Sequence, residues 1–240
     1  MAARKQQIRK FTRPQILFHW VYASAWIVLV LTGTTFLWRP DPHGPAVGLG
    51  ALLQGSVGQW LRLVHRVAAV VLMAAPLLWL ALEPRRVLSE LRELMIIRRN
   101  DIQYLLVAPL HYTFGRPPLP PQGKYNGGHK LNFWVVVLTF VGFVVSGITM
   151  WFFRGVVAAE TFRLMLLIHN VCFWLGLGMG MLHIYLTVLH PFTRQALSAM
   201  ISGFVDLKYA TAEHSEWVEE QLRSGQAEVR EAPAASGGSD

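Results

Sequence analysis

Four stretches of this chain carry no Asp, Glu, Lys or Arg: residues 15–38, 67–82, 131–153 and 164–189. The second is prolonged at its start by 58–66, where Arg62 and Arg66 are the only charges. A helix needs about 20 residues to cross a hydrocarbon layer about 30 Å thick, and the segments 15–38, 58–82, 131–153 and 164–189 all suffice. Hydrocarbon cannot replace a missing backbone hydrogen bond, so such segments must be helical. The expected fold is all-α, an integral membrane bundle of four transmembrane helices. With 53% hydrophobic and only 15% charged residues, the chain is too apolar for an ordinary soluble domain.

Tryptophan supports the same four spans. Trp20 and Trp38 bracket the first, Trp60 and Trp79 the second, Trp134 and Trp151 the third. These spacings correspond to roughly 26–28 Å of helix, which suits aromatic belts on the two sides of one bilayer. The first apolar run exceeds the 7–15 residues of a signal-peptide core, so it reads as a helix that is retained.

A net charge of +8 raises nucleic acid as a partner, but the placement of the charge favours a membrane. Arg4, Lys5, Arg9, Lys10 and Arg13 precede the first span. Arg85, Arg86, Arg92, Arg98, Arg99, Arg116, Lys124 and Lys130 lie between the second and third. The other two connections hold only Arg39, and Arg154 with Arg163. By the positive-inside rule both termini and the central connection are cytoplasmic. The expected partner is membrane lipid, with no nucleic acid.

The organisation expected is a membrane domain over 1–220 with a cytoplasmic loop at 83–130, followed by a disordered acidic tail at 221–240. Pro84 ends the second helix. Residues 85–96 alternate Val87, Leu88, Leu91, Leu94 and Met95 with Arg85, Arg86, Arg92 and Glu93, as in a short helix lying among headgroups. The segment 116–123, RPPLPPQG, reads as a polyproline-like strap. Beyond His190-Pro191, the mixed charges of 194–223 allow one further cytoplasmic helix. From about 224 the composition predicts disorder.

Each long segment except the third contains histidine. An ionisable group in hydrocarbon is costly and usually functional. His169 and His183 are fourteen residues apart, which puts them on nearly one helix face and roughly 21 Å apart along it. With the N-terminus inside, His19 falls near the cytoplasm and His65 near the outer side. The fourth helix starts outside, so the pairs are His65 with His169 in an outer layer and His19 with His183 in an inner one. Two haems, each held by two imidazoles, account for all four. Such iron has no open position and suits electron transfer. Zinc would need its ligands gathered at one depth. A single intramembrane histidine is commonly only an interhelical hydrogen bond; four in two layers are harder to explain so. His190, seven residues after His183, competes as inner ligand, but it precedes proline near the helix end. His43, His111 and His214 lie in connections or the tail and are expected to be solvated.

Other residues read more plainly. One cysteine, Cys172, excludes an intrachain disulfide framework and a cysteine-held cluster, and reads as packing. Gly176, Gly178 and Gly180 lie within an apolar helix, where small residues permit close approach or make room for a porphyrin. Arg62 and Arg66 suit either haem propionates or interfacial snorkelling. KYNGGHK, at 124–130, reads as a turn and cap before the third span.

Together LFHW, LVHR, LLIH, MLHIY and KYNGGHK resemble the cytochrome b (gamma) subunit of membrane-bound formate dehydrogenase. The wider class takes in di-haem cytochrome b subunits of nickel–iron hydrogenases and related reductases. The resemblance covers about 11–220 and keeps the order and spacing of the four histidines. It implies a four-helix bundle with two b-type haems on His19, His65, His169 and His183. It also implies a menaquinone or ubiquinone site beside the inner haem, touched by Asn126 and Gly128 and bordered by His183. The chain departs from the motif in having histidine rather than glutamine at 129, and His129 is expected to help protonate the quinone.

The function so implied is that of a bacterial inner-membrane subunit. It would carry electrons from a periplasmic iron–sulfur subunit, and ultimately a molybdenum- or tungsten-containing catalytic subunit, to a quinone reduced near the cytoplasm. It is the quinone-reducing part of an oxidoreductase, not the formate-oxidising part. The alternatives are a hydrogenase or other reductase anchor, and a haem-free transporter or anchor.

Overall fold

The computed structural model describes residues 5–37 and 55–232; Trp38, Arg39 and His43 lie outside them. In chain order the elements are β1 (Gln6–Arg9), α1 (Arg13–Leu37), α2 (Gly55–Leu82), α3 (Pro84–Met95), α4 (Arg99–Phe114), α5 (Gly127–Phe152) and α6 (Ala159–Ile184). After α6 come a π-turn at Tyr185–Leu189, α7 (Ala196–Ser202), β2 (Phe204–Asp206), α8 (Leu207–Glu213), α9 (Ser215–Arg223) and β3 (Val229–Glu231).

Four segments, Arg13–Leu37, Ser56–Leu82, Gly127–Phe152 and Ala159–Leu189, are long and apolar enough to cross a membrane. Their burial is inverted relative to a water-soluble bundle. Leu17, Leu31, Leu77 and Leu138 are about two-thirds exposed, while Gln15, Thr32, Thr139 and Ser146 are buried. Small and polar side chains pack between helices, and the large aliphatic ones meet lipid. The chain is a four-span helical membrane bundle. Helix α1 lies along α2 and α5 along α6, whereas backbone contacts between the two hairpins are few.

The last span ends at a proline. Pro191 disfavours helix at the residue before it, and the His190 amide closes onto Tyr185 O five residues back at 2.9 Å. That i to i−5 bond makes the π-turn.

Segments near both ends of the described chain form a cap at one end of the bundle. β1 pairs antiparallel with β2 (Ile8 opposite Val205) and with β3 (Ile8 opposite Val229), giving the order β2-β1-β3. Ile8, Phe11, Ala199, Val205, Ala210 and Val218 form its apolar core. Three sequence expectations change here. Residues 194–223 form three short helices and a strand, broken by Gly203 at φ 84°, rather than one helix. The tail, expected to lack structure from 221, runs on in α9 and then adds β3 to β1. β3 has an exposed, acidic-and-basic sequence, and backbone pairing to an open strand edge holds it, which composition does not reveal. His214, expected in solvent, is 1% exposed, because α8 and α9 fold over the N-terminal segment.

The connection 83–130 holds two helices. α3 falls where the amphipathic pattern put it. α4 was not expected: its buried face is Asp101, Tyr104 and Ala108, polar enough to hide the helical period. Between α4 and α5 the proline-rich strap has no regular structure. Gln122 anchors it, donating to Asn100 O at 3.0 Å and accepting the Gly127 amide at 2.9 Å.

Candidate functional site

The histidines meet in two pairs across the gap between hairpins. The ring centres of His65 and His169 stand 6.4 Å apart, and those of His19 and His183 stand 6.3 Å apart. Two imidazoles on opposite sides of one metal, each bound at about 2 Å, put their ring centres roughly 6 Å apart. Both pairs therefore fit a single metal atom between them. Among the described residues no group of three His, Cys, Asp or Glu converges. Each pair could therefore offer a metal two imidazoles, and a planar macrocycle such as haem would supply its remaining positions.

The His65/His169 pair also has its second nitrogens in place. Thr32 Oγ1 donates its proton to Val28 O at 2.7 Å and lies 2.8 Å from His65 Nδ1. Ser146 Oγ donates to Gly142 O at 2.5 Å and lies 2.9 Å from His169 Nδ1. A hydroxyl whose one proton is spent can only accept, so each Nδ1 carries the hydrogen. Each Nε2 is then left with its lone pair, the form that binds a metal. These two hydroxyls were missed in the sequence, yet a signal was present. Val30-Leu31-Thr32-Gly33 on α1 matches Val144-Val145-Ser146-Gly147 on α5, and Leu63-Val64-His65 on α2 matches Leu167-Ile168-His169 on α6. The two hairpins repeat one ligand-and-hydroxyl device.

Thr32→Val or Ser146→Ala leaves an imidazole N–H without its acceptor and makes the ligand less basic. Should a haem lie between His65 and His169, about 10- to 100-fold weaker retention of it is expected, with a higher midpoint potential for that haem alone. Haem titration and a redox titration check this.

Between the layers, Gly180 makes room for an aromatic ring. A Cβ there would stand 2.4 Å from the Trp26 indole, so alanine would push α1 from α6. Cys172 is packing, buried against Gly142. Arg66 lies over the Trp151 ring at 5.1 Å.

At the capped end, below the His19/His183 pair, lies a dense polar cluster. Asn126 caps α5 and is buried: its Nδ2 donates to Tyr104 Oη at 2.8 Å, and its Oδ1 accepts from the His129 amide at 3.0 Å. The same Oδ1 lies 2.6 Å from His129 Nδ1, so Nδ1 carries the hydrogen and Nε2 keeps the lone pair. Asn126 thus engages its amide within the protein, and Gly128 lies half-buried beside Tyr104. Gly127 cannot be larger, because a Cβ would stand 2.4 Å from Asp101 O.

Two ion pairs brace the cluster. Lys130 Nζ meets Asp101 Oδ2 at 2.7 Å, and Lys124 Nζ meets Glu90 Oε1 at 2.5 Å. Glu90 also accepts from Gln15 at 2.9 Å and from the Tyr125 hydroxyl. Glu213 accepts from Tyr112 Oη at 2.7 Å, and Tyr112 Oη lies 2.6 Å from Tyr104 Oη. Burial raises the Glu213 carboxyl above the usual carboxylate range and raises both phenols well above theirs, so the tyrosines remain neutral donors.

The remaining histidines are elsewhere. His190 is buried between Tyr112 and Tyr185, with Thr193 Oγ1 3.2 Å from its Nδ1. His111 is half-buried and donates to Pro117 O at 2.8 Å.

Residues 10–203 match the family model described as prokaryotic cytochrome b561. Relatives include the formate dehydrogenase cytochrome b556(fdo) subunit of Escherichia coli (strain K12), 23% identical over 90% of this chain and 94% of that one. Another is the formate dehydrogenase cytochrome b556 subunit of Haemophilus influenzae, 24% identical over 91% of this chain and 85% of that one. The nitrate-inducible cytochrome b556(Fdn) subunit of Escherichia coli (strain K12) is 27% identical over 51% of this chain and 56% of that one. With four membrane-length helices and facing histidine pairs, this chain belongs to the prokaryotic cytochrome b561 family of membrane haem proteins.

Proposed function

We propose that this chain is the membrane cytochrome b subunit of a formate dehydrogenase complex, with two bis-histidine haems and a quinone site near the cytoplasm. The observation that carries this reading is the pair of ring separations, 6.4 Å and 6.3 Å, in two layers that share helix α6. His65 and His169 hold the outer haem, their Nε2 atoms freed by Thr32 and Ser146. His19 and His183 hold the inner one. Bound there, the haems supply one-electron carriers linking a donor on the outer side to an acceptor on the inner side.

The quinone site sits at the capped end, where His129 is close enough to His183 for their charges to interact. His129 Nε2 meets the quinone oxygen. Asn126 orients that ring, and Gly128 leaves the approach open. The basic N-terminal segment and central connection support a cytoplasmic position for this end. The relatives are named as formate dehydrogenase subunits, which supports partner subunits; in this reading they are an iron–sulfur subunit and a molybdenum- or tungsten-containing catalytic subunit.

The test is a reduced-minus-oxidised spectrum of the purified chain with haem counted per polypeptide. Two b-type haems are expected; one haem, or none, removes the reading. Metal analysis of the co-purified complex tests the partner: molybdenum or tungsten supports a formate dehydrogenase, and nickel supports a hydrogenase.

A further inference from the structure

Three lysines are enclosed at the capped end, and they are not alike. Lys124 and Lys130 each meet a carboxylate, Glu90 and Asp101 respectively. Lys10 is 7% exposed, and its Nζ lies 2.6 Å from His214 Nε2. His214 Nδ1 donates to Gly123 O at 3.0 Å, so Nε2 is a lone pair and the partner of Lys10 is a neutral base. Among the described residues no carboxylate stands at ion-pair distance from Lys10. Its ammonium is the cation of this cluster that can lose a proton without breaking a salt bridge.

The position of the pair gives it a use. The His214 ring centre lies 5.7 Å from that of His129, so Lys10 stands one imidazole away from the proposed quinone-facing ring. Glu213, near enough for its charge to act on Lys10, lines a cavity of about 340 Å³ with His111, Asp206, Lys208 and Tyr209. That volume holds several waters at about 30 Å³ each, and its rim carries exposed Phe192 and Lys208.

We infer that Lys10, held by His214, is the proton source of the quinone site and is recharged from this cavity through Glu213. The inference rests on the quinone reading above. Full reduction of a quinone takes two electrons, from the reduced cytochrome, and two protons. In each of two rounds an N–H bond of the Lys10 ammonium breaks and its proton passes by way of His129 Nε2. An O–H bond forms on the reduced quinone, and Lys10 is left as a neutral amine against His214. A proton from water then restores the ammonium through the Glu213 carboxyl.

The groups facing Lys10 are consistent with easy loss of its proton. Burial chiefly, and then Lys124, lower its pKa to about 7, against the opposing pull of Glu213, Glu93 and Glu90. The nearby rings, His214 and His129, add no counter-charge while neutral. A base whose folded pKa is depressed binds fewer protons than the unfolded chain between pH 7 and 10.5. Stability from this group therefore rises with pH across that window.

The full-length protein, reduced with dithionite, is mixed with menadione or decylubiquinone in a stopped-flow instrument between pH 5.5 and 9. The wild-type rate of haem oxidation is expected to fall as pH rises through about 7. Lys10→Met should be about a hundredfold slower at pH 6, with haem content and quinone binding unchanged. Lys10→Arg keeps a charge but cannot release its proton, and should be equally slow. Thermal unfolding supplies a second readout: the rise in stability from pH 7 to 10 should vanish in Lys10→Met. A Lys10→Arg protein with the wild-type rate and pH profile overturns the proposal even if Lys10→Met fails to fold. If wild-type protein with both haems is not oxidised by either quinone, the quinone reading itself falls, and this proposal with it.

Discussion

If the chain holds two haems as proposed, His65→Ala is expected to leave one, and His169→Ala to do the same. The His65/His169 pair has no spare ligand, because Thr32 and Ser146 offer only hydroxyls that already hold the Nδ1 atoms. Loss of either imidazole leaves a layer with one protein ligand, too little to retain haem in a gap between hairpins. The inner pair, roughly 21 Å away along α6, stays assembled. On the proposed reading dithionite then reduces one haem per chain, while electrons from the proposed donor no longer reach it. A pyridine haemochrome assay with and without that donor separates the two effects. Two haems surviving in His65→Ala would overturn the pairing.

Asp101→Ala is expected to destabilise the capped end by about 3–5 kcal/mol, the usual result of stranding one member of a buried ion pair. Asp101 and Lys130 have side chains only 6% and 5% exposed. The carboxylate also accepts the Arg98 amide at 2.6 Å, capping α4. Its loss leaves a buried ammonium with the Ile96 carbonyl, 2.9 Å away, as its remaining partner. Helix α4 should detach from α5 and open Arg98 and Arg99 to trypsin, read by limited proteolysis beside a melting curve. Asp101→Leu combined with Lys130→Met should recover most of the loss, since replacing both charges by apolar groups removes the desolvation cost too. Failure of the double substitution to recover would assign the effect to the cap hydrogen bond.

The contrast between helices α3 and α4 shows where pattern reading stops. In α3 the apolar residues Val87, Leu91 and Leu94 mark one face in an otherwise charged segment. The buried face of α4 is built from Asp101 and Tyr104, whose partners lie on α5 and α8, so its period emerges only once those helices are in place. The tail differs again: Val229–Glu231 is exposed throughout, and its strand exists because β1 offers an unpaired edge. His214 looked like a solvated residue of that tail and is instead fully enclosed beside Lys10.

The sequence by itself determined the four spans, the two-layer placement of the histidines and the polar turn before α5. Hydrocarbon forces every apolar stretch of that length into a helix, and a helix converts spacing directly into position, so these features are local. Only the tertiary structure decided which hydroxyls hold the imidazoles, how the two termini close into a cap, and that Lys10 faces a neutral histidine. Lys10 and His214 are 204 positions apart; no local period joins them, and burial made by packing distant segments gives that pair its chemistry.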